Sequence, residues 1–244
     1  MIAPYYHSAR VTLYNADCID VMRDMPDNSV DLTVIDPPYR LNIAQGNKGC
    51  FEKSYSKLTS KRLQSLSDSF DIKMIFTEMA RICKKQIYIF CSNSQISEIM
   101  STSKDLGYSP TVLVWHKYNS VPFSHGTWRQ DAEFIIHCSK SNKPFNGSSE
   151  LKSKVKSLPL CRECPEHPTT KPLSLISGYI TISSNPNDLI FDGFMGSGTT
   201  GVAAMKLNRR FIGVELSEEY CEIAKARIHA AELIAEADLF KPKG

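Results

Sequence analysis

The chain has 244 residues, 42% of them hydrophobic and 23% charged, with a formal net charge of +3. That is an ordinary globular composition at a length suited to one α/β domain or a domain with a modest insertion, and so small a charge does not by itself mark a nucleic-acid binder. No apolar run reaches the roughly 18 residues needed to cross a bilayer, and "MIAPYYHSAR" lacks the apolar stretch of a secretory signal, so a cytoplasmic protein without membrane contact and with eight mostly reduced cysteines is expected.

In chain order, a helical pattern at 18–25 precedes the apolar run "VDLTVIDPPY", which reads as a strand. Residues 40–66 carry Arg40, Lys48, Lys53, Lys57, Lys61 and Arg62 against Glu52 alone, and read as a long loop leaving that strand. A helix is predicted over 70–84, then a strand "KQIYIFCS", a helix over 94–104, and strands "TVLVWHKY" and "EFIIHCSK". The polar stretch 139–168 breaks the alternation and reads as an inserted loop or small subdomain, with five lysines and one acid, Glu150, over 139–156. After "KPLSLISGYITISS" come a strand "DLIFDGF", a glycine-rich turn, a helix "TTGVAAMKLN", a strand "RRFIGVEL" and a terminal helix from Ser217. Strands alternating with helices imply a mostly parallel sheet with helices on both faces.

Two stretches carry chemistry. In "LIFDGFMGSGTTG" a strand ends at Asp192, and Gly193, Gly196 and Gly198 lead into a helix near Thr199. Glycines at such a turn let backbone approach a ligand and expose helix N-terminal amides. The spacing is neither the dinucleotide fingerprint nor a P-loop. The next strand ends at Glu215, where a doubly wound sheet places an acid for ribose hydroxyls; a solvated strand-end acid is the plainer reading. The other stretch is "DPPY". Asp-Pro also opens ordinary turns. Here the Asp36 carboxylate and the Pro37 carbonyl can accept both N–H bonds of an exocyclic amine, and the prolines Pro37 and Pro38 preorganise that geometry. Tyr39 offers a ring face on which a planar group can stack. No covalent nucleophile is needed, so the cysteines receive no catalytic role.

"DPPY", "FDGFMGSGTT" and "GVELSEEYCEIAKARI" together resemble the amino-methyltransferases of DNA in the permuted order called the β class, in which the catalytic half precedes the S-adenosylmethionine half. The resemblance covers nearly the whole chain, including "NADCIDVMRDMPDNSVDLTVIDPPY" and "HPTTKPLSLI". It implies a Rossmann-like α/β fold, a single methyltransferase domain over 1–244, and methyl transfer from S-adenosylmethionine to the N6 amine of a flipped adenine. Cytosine N4 is the runner-up, although cytosine enzymes of the family usually carry Ser where this chain has Asp36. RNA and protein-glutamine methyltransferases usually have the reverse motif order. The resemblance assigns Asp36, Pro37, Pro38 and Tyr39 to catalysis, and Asp17, Lys171, Asp192, Gly193, Phe194, Gly196, Ser197, Gly198, Thr199, Thr200 and Glu215 to the cofactor. Asp17 would meet the cofactor's adenine amine, Lys171 its amino-acid end and Asp192 its ammonium. Asp17 could instead cap a helix, and Lys171 could lie on the surface. Glu133 matches an acid near the base pocket.

The family commonly has Pro at the position of Gly193, so a more flexible turn is expected here. The short segment between the halves leaves loops 40–66 and 139–168 for double-stranded DNA, and a homodimer would double the footprint. A cognate restriction nuclease fits but is not required. Trp115, His116 and Lys117 end a strand and are further candidates for DNA contact. No metal is expected, although Cys161, Cys164 and His167 have C-x₂-C-x₂-H spacing, half of a zinc signature.

Overall fold

The computed structural model describes residues 2–37, 71–120, 128–140, 144–160 and 171–239. In chain order the elements are β1 (Tyr6–His7), β2 (Val11–Asn15), α1 (Cys18–Asp24), β3 (Val30–Ile35), α2 (Ile72–Ile82), β4 (Cys83–Cys91), α3 (Ile96–Asp105), β5 (Ser109–His116), β6 (Ala132–Ser139), β7 (Val155–Ser157), α4 (Leu173–Ser183), β8 (Leu189–Asp192), α5 (Thr199–Lys206), β9 (Arg210–Glu215) and α6 (Glu218–Leu239). The strands form one sheet in the order β1-β2-β9-β8-β3-β4-β6-β5-β7. Strands β2, β9, β8, β3 and β4 run parallel, while β6 is antiparallel to β4 and β5.

All six residues of β3 are buried, as a strand covered on both faces requires. Alternate residues of β4 face opposite layers: Tyr88 and Phe90 pack with Leu175, Tyr179 and Ile180 of α4, and Ile87, Ile89 and Cys91 pack with Phe76 and Met79 of α2. Helix α2 forms where the sequence provides both a cap and a stripe. The Asp71 carboxylate accepts from the amides of Lys73 and Met74, and Ile72, Ile75, Phe76, Met79 and Ile82 make the buried face.

The connections determine where the site lies. From β3 the chain passes through α2 to β4 on one side, and from β8 it passes through α5 to β9 on the other. The crevice beyond the C-terminal ends of β3 and β8 is therefore a topological switch point, where open α/β sheets bind ligands.

Three features differ from the sequence expectation. Strand β2, unmarked in the predicted order, pairs with β9 from Val11↔Phe211 to Asn15↔Glu215. Within 139–168, residues 155–157 are not part of a free loop: they pair with β5 as the edge strand β7. Trp115 does not face outward for DNA; it is 1% exposed, and its indole N–H donates to the Leu158 carbonyl at 3.0 Å. Residues 40–66 and the Cys161, Cys164 and His167 group lie outside the described residues. Among the described residues no group of three or more His, Cys, Asp or Glu is arranged to hold a metal, and no helix is long and apolar enough to cross a membrane.

Candidate active site

Asp36 and Pro37 follow β3 directly, in the crevice, while Pro38 and Tyr39 lie outside the described residues. Asp36 is not alone there. Lys171, just before α4, places Nζ 2.5 Å from Asp36 Oδ2 and 3.2 Å from Glu133 Oε2, and Lys117 Nζ lies 2.7 Å from Glu133 Oε1. The four groups make an alternating chain, Asp36–Lys171–Glu133–Lys117, drawn from β3, the lead into α4, and the β5–β6 pair. Lys171 is 8% exposed and also sits over the Phe90 ring, 5.1 Å from its centroid. It is thus neither a surface lysine nor, in this arrangement, free to serve the cofactor's amino-acid end alone. Burial works against its charge, but Asp36 and Glu133 outweigh that and hold its pKa above the ordinary lysine value. Burial likewise works to raise Glu133, and Lys171 and then Lys117 outweigh it, so its carboxyl stays below the usual range.

Across the crevice, Asp192 ends β8 at 4% exposure. Its Oδ2 accepts from the Thr200 hydroxyl at 2.6 Å and its Oδ1 from the Phe194 amide at 3.0 Å. These are neutral donors. Burial pushes its pKa up to about 7 against the partial relief of those hydrogen bonds, with the charges of Asp36 and Glu215 adding to the rise. One strand further out, Glu215 accepts from the amides of Gly196 at 3.0 Å and Ser217 at 2.9 Å, and burial raises its pKa despite them.

The turn between these acids is built as its glycines suggest. Gly198 caps α5 in the left-handed region, φ 82°, and a Cβ there would fall 2.9 Å from Ala224 Cβ. Gly193 is different: a Cβ would sit 3.3 Å from both Cys18 Cβ and the Phe191 ring, so close packing limits the freedom expected of it. Thr199 and Thr200 open α5 and are buried. Ser197 faces the other way, since its carbonyl and hydroxyl both accept from Arg227 of α6, at 2.5 and 2.9 Å. Asp17 caps α1, its Oδ1 accepting from the Ile19 amide at 2.8 Å. It stands beside Glu215 because Asn15 and Ala16 bond the Glu215 carbonyl, at 3.0 and 3.2 Å.

The arrangement brings Asp36, Lys171 and Glu133 together on one side and Asp192, Thr200, Gly196, Glu215 and Asp17 on the other. Lys117 in the acid–lysine chain was not foreseen. Period-two alternation puts it on the face of Trp115, whose cross-strand partner is Glu133, so a paired reading of β5 and β6 points to it. Cys91 ends β4 beside Asp36, and burial, aided by the Asp36 charge, holds its thiol up at about 12, where no thiolate forms near neutral pH.

A mostly parallel sheet with a carboxylate-proline turn after its central strand and a glycine turn after the neighbouring strand defines an α/β transferase site, and comparison with known proteins agrees. A family model described as DNA methylase matches residues 30–226, and the chain belongs to this N6/N4 family of DNA methylases. It is 31% identical over 251 aligned positions to the type II methyltransferase M2.MboI of Moraxella bovis, covering 93% of this chain and 92% of that one. M.HinfI of Haemophilus influenzae, also a type II methyltransferase, is 28% identical, over 89% of this chain and 68% of its own. Among solved structures, that of M1.HpyAVI with S-adenosylmethionine is similar with a TM-score of 0.68 and 28% identity, over 89% of this chain and 98% of that one. The PvuII DNA methyltransferase, cytosine-N4-specific, shares the fold, with a TM-score of 0.69 at 17% identity over 96% of this chain and 94% of its own.

Proposed function

We propose that this DNA methyltransferase moves the methyl group of S-adenosylmethionine to the N6 amine of an adenine flipped out of duplex DNA. The observation that carries the reading is the position of Asp36 and Pro37 at the switch point, facing across it the buried Asp192 and the half-buried Glu215, whose carboxylates meet only neutral donors among the described residues. S-adenosylmethionine supplies an electrophilic methyl group. The cofactor half suits it: Asp192 takes the ammonium, Glu215 the ribose hydroxyls and Asp17 the adenine end, with the amides at the head of α5 close by.

The amine lone pair of adenine is delocalised into the ring, so the protein's task is orientation. Asp36 accepts one N–H and the Pro37 carbonyl the other, which turns the nitrogen lone pair toward the methyl group. Tyr39, from sequence alone, stacks on the flipped base, a contact worth about 1–3 kcal/mol. Asp36 in place of Ser favours adenine over cytosine. The basic segments 40–66 and 139–168 take the duplex, and a homodimer gives two such surfaces. Incubation with S-adenosylmethionine and DNA, followed by nucleoside mass spectrometry, tests the base. N6-methyladenine is expected; N4-methylcytosine in its place would overturn the assignment.

A further inference from the structure

Asp36 must offer its carboxylate to the target amine, yet Lys171 Nζ already sits 2.5 Å from Oδ2. A bare lysine clamp would compete with the substrate for that oxygen. The geometry supplies a second berth. Glu133 Oε2 is 3.2 Å from the same ammonium, and it is buried with no hydrogen bond made to it, so this approach is an ion pair off hydrogen-bond alignment. Its other oxygen is fixed by Lys117 at 2.7 Å. Lys117 is itself held by the strand pair, through its amide to the Asp131 carbonyl at 2.6 Å.

We propose that Glu133 is a positioning residue for methyl transfer, the carboxylate to which Lys171 swings when the target amine takes its place on Asp36, with Lys117 holding Glu133 in register. This rests on the methyltransferase reading above. The swing is short, since the ammonium already lies near both acids, and it completes a hydrogen bond that Glu133 Oε2 lacks. It also keeps Lys171 paired throughout, which matters for a lysine this deeply buried. The Phe90 ring, 5.1 Å from Nζ, gives the moving ammonium a face to slide over without full desolvation cost. Burial and two acids keep Lys171 protonated, so it acts as a mobile cation and not as a base.

The test is a double-mutant cycle on the full chain, with Glu133→Gln, Lys171→Met and both together. Each is assayed for methyl transfer to DNA under single-turnover conditions and for S-adenosylmethionine binding by calorimetry. Methyl transfer by the unmodified chain establishes the underlying reading, and its failure would sink that reading first. Given that activity, Glu133→Gln should slow transfer roughly 10- to 100-fold, the worth of one charge-assisted hydrogen bond, with cofactor affinity changed less than about threefold. In the Lys171→Met background the same change should have little further effect, because Glu133 acts only through Lys171. A merely structural Glu133 would lower rate, cofactor affinity and melting temperature together. Glu133→Gln leaves the partly buried Lys117 without its acid, so the pair Glu133→Gln with Lys117→Met, which removes both charges, serves as the second variant. It should fold normally and remain as slow as Glu133→Gln. Full activity in that pair, or additive effects of Glu133→Gln and Lys171→Met, would overturn the proposal.

Discussion

Asp192 offers a perturbation whose size follows from the site. Its pKa rises from the ordinary 3.8 to about 7. That rise corresponds to about 4 kcal/mol of penalty on the ionised form. A pKa raised in the folded state means that the folded protein holds the proton longer than the unfolded chain does. The associated stability is therefore full below pH 4, falls as pH climbs through 7, and is flat beyond. Asp192→Asn keeps the shape and removes the charge. The Phe194 amide can still donate to the new carbonyl, and the Thr200 hydroxyl must turn to accept from the new amide. Two weakened hydrogen bonds return about 1 kcal/mol each, leaving a net gain of about 2 kcal/mol at pH 8 and a melting temperature higher by about 4–8 °C in the free protein. At pH 5 the gain should nearly vanish, since native Asp192 is then protonated. Cofactor binding should move the other way. Below pH 7 the carboxyl must shed its proton to pair with an ammonium, so native affinity should drop by up to about tenfold per unit, with proton release visible by calorimetry in two buffers. The variant should bind more weakly at pH 8 and show neither trend. Equal changes in melting temperature at pH 5 and pH 8, or a variant that binds cofactor with the native pH profile, would refute both the burial argument and the ammonium assignment.

Other perturbations separate the remaining roles. Asp36→Ala should abolish methyl transfer while leaving cofactor affinity within a few-fold, because Lys171 retains Glu133; loss of cofactor binding in a folded variant would contradict the division of the site. Trp115→Ala should cost about 3–5 kcal/mol in denaturant unfolding, a core effect, since its ring is buried and its N–H is spent on Leu158. Lys154→Ala should reduce the salt slope of DNA binding by about 1, whereas Lys156→Ala should not, because the Lys156 ammonium is bound to the carbonyls of Glu150 and Leu151 at 2.9 and 2.5 Å; an unchanged slope in Lys154→Ala, or an equal reduction in both variants, would overturn this distinction.

Legibility in the sequence followed the range of the interaction. "VDLTVID", "DLIFD" and "RRFIGVE" each announce a buried strand ending in an acid, and Gly198 announces a left-handed turn, because those constraints are local. The same holds for Asp71, whose cap and apolar stripe sit in one segment. What the sequence could not state is which strand ends become neighbours. Asp36 and Lys171 are 135 positions apart, and their contact exists only because β3 lies between β8 and β4 while β6 returns antiparallel with Glu133. Strand β2 went unmarked because Thr12 and Tyr14 are only half-buried, and β7 because three edge residues, "VKS", carry no periodicity. The lysines of 152–156 suggested phosphate contacts from composition alone, yet Lys156 turns back on its own segment and Lys152 lies over the Phe145 ring.

The site is divided electrostatically along the line between β3 and β8. On the side assigned to the base, each acid already has its lysine, Asp36 with Lys171 and Glu133 with Lys171 and Lys117. On the side assigned to the cofactor, Asp192 and Glu215 meet only amides and one hydroxyl among the described residues, and burial raises both. A neutral donor cannot offset the burial of a full charge, so this half gains most from a ligand that brings a cation with it. The base half gains nothing from a further cation, and it suits a neutral amine whose two hydrogens need acceptors. The C-terminal ends of two neighbouring strands thus present two unlike surfaces. Which ligand enters which half follows from whether the acids there arrive already paired.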